Sequence, residues 1–181
     1  NTALQEGLAA AQRVFAVLDQ KSNIAEETGA GNLFVSGGQI KFSAVKFRYI
    51  DDVPALGGID IEVAAGETVA LVGPSGAGKS TVLNLIPRFY DVESGSVEVD
   101  GQDVRSVTLS SLRGAIALVS QDVALFDDTV RANILYGRPD AERGEIVAAA
   151  EAAAAHDFIV SLPDGYDTLV GERGAKLSGC L

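Results

Sequence analysis

Residues 73–81 carry the clearest chemistry in this sequence. They read GPSGAGKST and match the pattern G-x-x-x-x-G-K-[ST] at every fixed position. Glycines at this spacing let the backbone curl so that successive N–H groups point at a polyphosphate, and a following helix N-terminus adds positive potential. Lys79 is expected to reach the β- and γ-phosphates of a nucleotide, and the Ser80 hydroxyl is expected to bind Mg²⁺. The stretch therefore predicts a nucleotide site.

The flanking residues give this loop the context that the pattern requires. Residues 68–72 (TVALV) predict a buried strand, and residues 81–86 (TVLNLI) predict a helix. A glycine-rich turn without a ligand would explain the glycines, but it would not explain a lysine followed by a serine at this offset. The predicted nucleotide contacts in the loop are Gly73, Pro74, Ser75, Gly76, Ala77, Gly78, Lys79, Ser80 and Thr81.

Two further residues stand where a nucleotide would need them. Tyr49 lies in an alternating strand pattern upstream of the loop, and its ring could stack on adenine; a half-buried strand tyrosine is the alternative. Gln121 follows the apolar run 115–119 (AIALV), which predicts a central parallel strand. Ligands of α/β sheets bind at the carboxyl ends of such strands. The Gln121 amide could offer its carbonyl to Mg²⁺ or to an attacking water, whereas an ordinary loop glutamine is the alternative.

Composition limits the other functions. The 181 residues are 47% hydrophobic, enough for one domain with a sizeable core. A net charge of −11 leaves no basic stripe for a nucleic acid, so nucleic-acid partners are excluded. The single cysteine, Cys180, excludes an internal disulfide. No apolar run is long enough to span a bilayer, and no signal peptide opens the chain. Because the sequence contains no methionine, we expect it to be a piece of a longer protein.

Periodicity divides the chain into three parts. Residues 1–20 predict a helix, with an apolar face formed by Leu4, Leu8, Ala11, Phe15 and Leu18. Residues 21–38 are polar and glycine-rich, which predicts a linker. Residues 39–181 predict the main domain, with strands near 40–49, 59–63 and 95–99, a register slip near Ala44, and helices at 129–136 and 142–155. His156, the only histidine, is expected at a helix end or the surface rather than in catalysis.

Taken together, the segments resemble the nucleotide-binding domain of ATP-binding-cassette exporters, in the lipid A flippase and multidrug exporter group. Residues 46–49 (KFRY) resemble the loop that stacks on adenine, and residues 73–80 match the Walker A motif. Residues 119–122 (VSQD) and the segment to 134 resemble the Q-loop and its continuation. Residues 171–174 (GERG) followed by 177–179 (LSG) resemble the exporter X-loop and the LSGGQ signature, and residues 7–19 resemble the cytoplasmic end of the last transmembrane helix.

The resemblance implies an α/β fold. It is a P-loop NTPase (RecA-like) core with an N-terminal antiparallel β subdomain and an α-helical subdomain at about residues 122–181, and it is C-terminally incomplete. It also implies ATP and Mg²⁺ as ligands, with Lys79 and Gln121 contributing to catalysis and with Ser80 and Gln121 near the metal.

Partners and location follow from the same resemblance. In such exporters ATP lies between two nucleotide-binding domains, so Ser178 and Gly179 would contact the γ-phosphate held by the second domain of a homodimer. Residues 122–133 and the loop at Glu172 would face the transmembrane domain of the same transporter, at the cytoplasmic face of the inner membrane. Closure around ATP would then drive transport of a lipid- or drug-like substrate, because it adds contacts in one state only.

The sequence also departs from the family pattern. Cys180 and Leu181 stand where the signature would continue with Gly-Gln. No Walker B strand ending in Asp-Glu and no switch histidine is present, and His156 cannot stand in for the latter. Since phosphoryl transfer needs a residue that orients the nucleophile, we expect this chain to bind ATP and hydrolyse it negligibly. A non-catalytic nucleotide-binding module is an alternative; a soluble P-loop kinase is another, against which the X-loop-like segment argues.

Overall fold

The computed structural model describes residues 2–20, 22, 24–50, 52–120 and 124–171. These fall into two compact units, residues 1–117 and 118–181. The first unit contains α1 (Thr2–Leu18), β1 (Ile40–Ile50), β2 (Val53–Val63), α2 (Lys79–Leu85), β3 (Ser94–Val99), β4 (Gln102–Asp103) and α3 (Leu109–Gly114). The second contains α4 (Val130–Leu135), α5 (Arg143–Ala152), α6 (His156–Ser161) and a 3₁₀ turn at Gly165–Asp167. Within the described ranges, no helix is both long and apolar enough to cross a membrane.

The first unit is built on an antiparallel sheet in the order β2-β1-β3-β4. Alternate residues of β1 enter the core: Phe42, Val45 and Phe47 are at most 5% exposed. They pack with Leu56, Val97 and the α2 residue Leu85. The antiparallel β subdomain that the sequence predicts is confirmed.

The register slip predicted near Ala44 is a β-bulge. Pairing of β1 with β3 skips from Ser43 to Lys46, and Ala44 has a φ of 46°. Gly95 faces the bulge, where a β-carbon would lie 2.3 Å from the Ser43 carbonyl oxygen. The bulge restores the inward direction of Val45 and Phe47, because one extra residue reverses the alternation of a strand.

Two predicted strands are wrong. Residues 68–72 and 115–119 follow irregular paths, and no described strand pairs with either. Val72 is 89% exposed and Val119 is 92% exposed, whereas a central parallel strand would bury both. Both segments have the hydrophobic composition of a buried strand, but an extended segment becomes a strand only where a neighbour completes its hydrogen bonds.

Residues 24–39, called the strap from here on, have no helix or paired strand and are nevertheless fastened along their length to the first unit. The carboxylate of Asp100 accepts backbone N–H groups from Ser36, Gly37, Gly38 and Gln39 at 2.7–3.0 Å. The Gln102 amide pairs with both backbone groups of Phe34, at 3.0 and 2.7 Å.

The middle of the strap is held in the same way. The Gly31 carbonyl accepts from the Thr108 N–H at 2.8 Å, and the Leu33 N–H donates to the Ser111 hydroxyl at 2.8 Å. The predicted linker is therefore part of the first unit's surface. Its service as a connection between domains stays a prediction.

The second unit is helical. Thr129 caps α4 by accepting the Ala132 N–H at 3.1 Å. Glu142 and Glu145 form a capping box at the start of α5. Ile146 and Ala150 of α5 pack inward with Ile159 and Val170. The alanines of α5 line an apolar cavity of about 370 Å³ rather than a disordered tract.

We expect Asp100→Asn to weaken the acid dependence of stability. Backbone N–H groups of Gly37, Gly38, Ser36 and Gln39 hold the pKa of the Asp100 carboxyl well below its usual range. A depressed pKa means that the carboxylate stabilises the folded state above its unfolded pKa near 4 and that this contribution is lost as pH falls. Urea unfolding at pH 7 and pH 3 should therefore show a smaller difference for the variant.

Asp103 provides the comparison for this experiment. Burial acts to raise the pKa of the Asp103 carboxyl, but the hydrogen bonds from Arg105 outweigh it and the pKa is lowered. That pair is intact in the parent chain and in Asp100→Asn. An equal acid loss in the parent chain and in Asp100→Asn would show that the four amide contacts contribute nothing.

Candidate nucleotide-binding site

The loop that precedes α2 rests directly on β2. Gly78, the residue before the first helical turn, has a φ of 85°. A β-carbon there would lie 2.7 Å from Cδ2 of Leu56 and 2.9 Å from the carbonyl oxygen of Ala55. Only glycine combines this backbone conformation with such close contact. The predicted helix after the loop is confirmed, and a glycine at position 78 has a steric cause in this fold.

Lys79 folds back over the loop. Its Nζ donates to the carbonyl oxygens of Gly73 at 2.9 Å and Pro74 at 2.7 Å. An ammonium has three N–H donors, so these bonds orient the charge and leave one donor for a ligand. The positive charge is thus held at the loop without a carboxylate partner among the residues described.

The other loop residues differ in accessibility. Ser80 is exposed, in the position from which its hydroxyl can meet a ligand, whereas Thr81 is 6% exposed and faces the core. Gly76 has a φ of 80° with open space around it. The predicted contacts from 73 to 80 therefore lie in one short accessible stretch, and Thr81 is placed to anchor α2.

Tyr49 belongs to a cluster of three rings. Its centroid lies 4.8 Å from Phe47 and 5.0 Å from Tyr90, with interplanar angles of 87° and 89°. Such edge-to-face contacts fix ring orientation. Tyr49 is 48% exposed while Phe47 is 5% exposed, so an orientated aromatic face remains available to a ligand.

Tyr90 is a member of this cluster that the sequence reasoning missed. It is held beside Tyr49 because the Glu93 N–H donates to the Lys46 carbonyl at 3.0 Å and because Arg48 makes a forked ion pair with the Glu93 carboxylate. The available signal was the aromatic pair at 89–90, which follows the end of the predicted helix.

The sheet joins the rings to the loop. Phe47 of β1 pairs with Leu56 of β2, and Leu56 is the side chain beneath Gly78. Tyr49 lies two residues beyond Phe47, at the same end of the strand pair. One short hairpin therefore carries the aromatic platform and supports the candidate phosphate loop.

The remaining predicted site residues cannot be placed. Gln121 and Asp122, the Glu172 loop, and Ser178, Gly179, Cys180 and Leu181 lie outside the described residues. His156 begins α6 and its Nδ1 lies 2.9 Å from the Tyr166 hydroxyl, which confirms the predicted helix-end position. No cluster of His, Cys, Asp or Glu suited to a metal occurs in the described part of the chain.

We expect Gly78→Ala to destabilise the first unit by about 3 kcal/mol, since the new methyl group meets the Ala55 backbone in a left-handed conformation. Gly76→Ala is the matched control, because it has a similar φ but open surroundings; it should cost about 1 kcal/mol. Denaturant unfolding measures both values. Equal costs would mean that β2 does not press against the loop.

Three comparisons with known proteins agree. The model of the ABC transporter family matches residues 56–180. An ATP-dependent lipid A-core flippase from Chromobacterium violaceum is 54% identical over 178 residues, covering 98% of this chain and 30% of the relative. ATP-binding cassette sub-family B member 6 from Mus musculus is 50% identical over 168 residues, covering 93% of this chain and 20% of the relative. A solved bacterial Atm1-family ABC exporter with ATP bound has a TM-score of 0.90 and 49% identity, covering 97% of this chain and 31% of that one.

These relatives extend well beyond the sequence described: the chain spans about 30% of the length of the flippases that it matches. The match nevertheless runs from the supporting strand β2, through the loop and the helical unit, to residue 180. With more than half of its residues inside the family model, the chain belongs to the ABC transporter family.

Proposed function

We propose that this chain is the ATP-binding portion of an ABC exporter that couples ATP binding and hydrolysis to transport of a lipid- or drug-like substrate across a membrane. One observation carries the proposal. The Lys79 ammonium is held over the glycine-rich loop by hydrogen bonds to the Gly73 and Pro74 carbonyls. Family membership and the likeness to lipid A-core flippases support the transport role.

ATP binding would divide between two surfaces of the first unit. The backbone N–H groups of residues 73–81, except at Pro74, which has none, and the Lys79 ammonium would hold the β- and γ-phosphates. The exposed face of Tyr49 would stack on the adenine. The hairpin that supports Gly78 fixes the separation of these surfaces, so little ordering is required on binding.

Mg²⁺ fits the oxygen donors that the chain offers. The exposed Ser80 hydroxyl would be one ligand and the Gln121 carbonyl another. When bound, the ion would neutralise charge that develops on the phosphates. Gln121 would also orient the attacking water. Gln121 and Lys79 are therefore the residues of this chain that we propose to contribute to catalysis.

The proposal includes partners. We place residues 1–20 at the cytoplasmic end of the last transmembrane helix, with the transmembrane domain of the same transporter as neighbour. The exposed apolar side chains of α1 support this: Phe15 is 60% exposed and Leu18 is 71% exposed. A second copy would supply Ser178 and Gly179 to the γ-phosphate of this one, at the cytoplasmic face of the inner membrane. The proposal includes no nucleic-acid partner, because a net charge of −11 disfavours binding to a phosphate backbone.

We expect Lys79→Ala to lower the affinity for ATP by about ten- to a hundredfold. The change removes charge-assisted hydrogen bonds worth about 1.5–3 kcal/mol. Calorimetric titration measures the dissociation constant, and Lys41→Ala, at an exposed position of β1, controls for the loss of one positive charge. Wild-type affinity in Lys79→Ala would refute the phosphate-loop assignment.

The parent chain and Lys79→Ala also serve to test ATP turnover. The sequence holds no Asp-Glu pair after an apolar strand, so the chain on its own should release phosphate negligibly at saturating ATP. Steady release that Lys79→Ala abolishes would show that the residues present here are sufficient for hydrolysis.

We expect Tyr49→Ala to weaken ATP binding by about five- to a hundredfold, since one base–aromatic stack contributes about 1–3 kcal/mol. Tyr49→Phe should bind ATP with the affinity of the parent chain. In Tyr49→Ala, the affinity for GTP should fall by as much as the affinity for ATP. Tyr136→Ala is the matched control, an exposed tyrosine in α4's C-terminal turn that pairs with Phe126. If Tyr49→Ala binds ATP with the affinity of the parent chain, Tyr49 is only a structural residue of β1 and does not contact the adenine.

A further inference from the structure

Arg88 is a buried cation at the end of the helix that begins with Lys79. It is 3% exposed and lies three residues after Leu85, the last residue of α2. Its φ is 51°, a backbone conformation that non-glycine residues rarely adopt. Strain of this kind persists only where the surroundings over-determine the conformation. The side chain of Arg88 supplies that determination.

The Arg88 guanidinium ties three segments together. Nε and Nη2 donate to the two Asp91 carboxylate oxygens at 2.7 and 3.1 Å. Nη1 donates to the Arg105 carbonyl at 3.3 Å, and Nη2 also donates to the Ala25 carbonyl of the strap at 3.0 Å. A planar fork with fixed donor directions can make these contacts at once; a lysine ammonium cannot.

The backbone around Arg88 is itself clamped. Arg113 of α3 donates to the carbonyls of Pro87 at 3.1 Å and Arg88 at 3.0 Å, and its guanidinium lies over the Phe89 ring. These contacts hold the turn to α3, and the Arg88 N–H, which donates to the Leu85 carbonyl at 3.1 Å, holds it to α2. A displacement at the end of α2 is passed to Arg88 through this backbone bond and through the bond from the Phe89 N–H to the Asn84 carbonyl, at 3.1 Å.

We propose that Arg88 is a positioning residue that couples occupancy of the phosphate loop to the strap and hence to α1. This rests on the proposed function, because the ligand of the loop is ATP. Phosphate contacts at Lys79 and Ser80 would displace the first turn of α2. The last turn of α2 would then move Arg88, and the Arg88 guanidinium would move the Ala25 carbonyl of the strap. Coupling of this kind is reciprocal, so a pull on α1 acts back on the loop.

Hydrogen exchange of the full 181-residue chain tests the coupling, with peptides covering residues 24–39 compared in the absence and presence of saturating ATP and Mg²⁺. We expect ATP to slow exchange in these peptides by about fivefold or more. In Arg88→Lys the charge remains beside Asp91 but the Ala25 contact is lost, so the ATP effect on the strap should fall to less than about twofold while ATP affinity changes by less than about fivefold.

Arg113→Lys is the matched control. It disturbs the same turn at the carbonyls of Pro87 and Arg88 and makes no hydrogen bond to the strap among the described residues, so the ATP effect should persist. Should Arg88→Lys fail to fold, Asp91→Asn loosens the same guanidinium at a partly exposed partner and must reduce the effect. A purely structural role for Arg88 would lower stability and leave the ATP effect unchanged.

The outcomes separate the two proposals. If the parent chain does not bind ATP, the proposed function fails and this inference fails with it. If the chain binds ATP and exchange in the strap does not change, or changes equally in the parent chain, Arg88→Lys and Asp91→Asn, the proposed function stands and the coupling through Arg88 is wrong.

Discussion

The close approach of β2 to the loop at Gly78 is the constraint on which the first unit depends. Leu56 and the Ala55 carbonyl occupy the space that any larger residue at position 78 would need. This contact fixes where α2 begins, and therefore where Lys79 and Ser80 stand relative to the sheet. Because Leu56 pairs with Phe47, the same contact sets the distance between the loop and the ring of Tyr49. A single steric fit thus positions both halves of the proposed ATP site.

The electrostatics of the site are local. The chain carries a net charge of −11, which by itself repels a polyphosphate. The Lys79 charge is not neutralised by a described carboxylate; it is held by two carbonyl dipoles instead, so it remains available to an anion. By contrast, Arg88, Arg105 and Arg138 are paired with acidic partners. These three arginines serve the architecture, whereas the described contacts of the Lys79 ammonium are to carbonyl oxygens.

The sequence predicts what short-range patterns determine. Alternation predicts the strand β1 because one face of the sheet is buried, and the slip near Ala44 indicates the bulge. Prediction from the sequence fails where the conformation of a segment depends on residues that are distant in the chain. Residues 68–72 have strand composition but pair with no strand among the described residues, and their path is irregular. The strap looks like a linker because its anchors, Asp100 and Gln102, lie more than 60 residues away and leave no periodic trace. Tyr90 was not predicted for the same reason, because the ring that it contacts, Tyr49, is distant in the sequence.

The central claim is that residues 73–81 bind the terminal phosphates of ATP, and a comparison of ATP with AMP tests it most directly. Both nucleotides offer the same adenine to Tyr49, but only ATP offers phosphates that Lys79 can reach. Titration calorimetry of the chain with each nucleotide and Mg²⁺ should give at least about tenfold tighter binding of ATP, as expected when one charge-assisted contact is gained. Equal affinity for ATP and AMP would contradict the account, because the loop would then contribute nothing to binding.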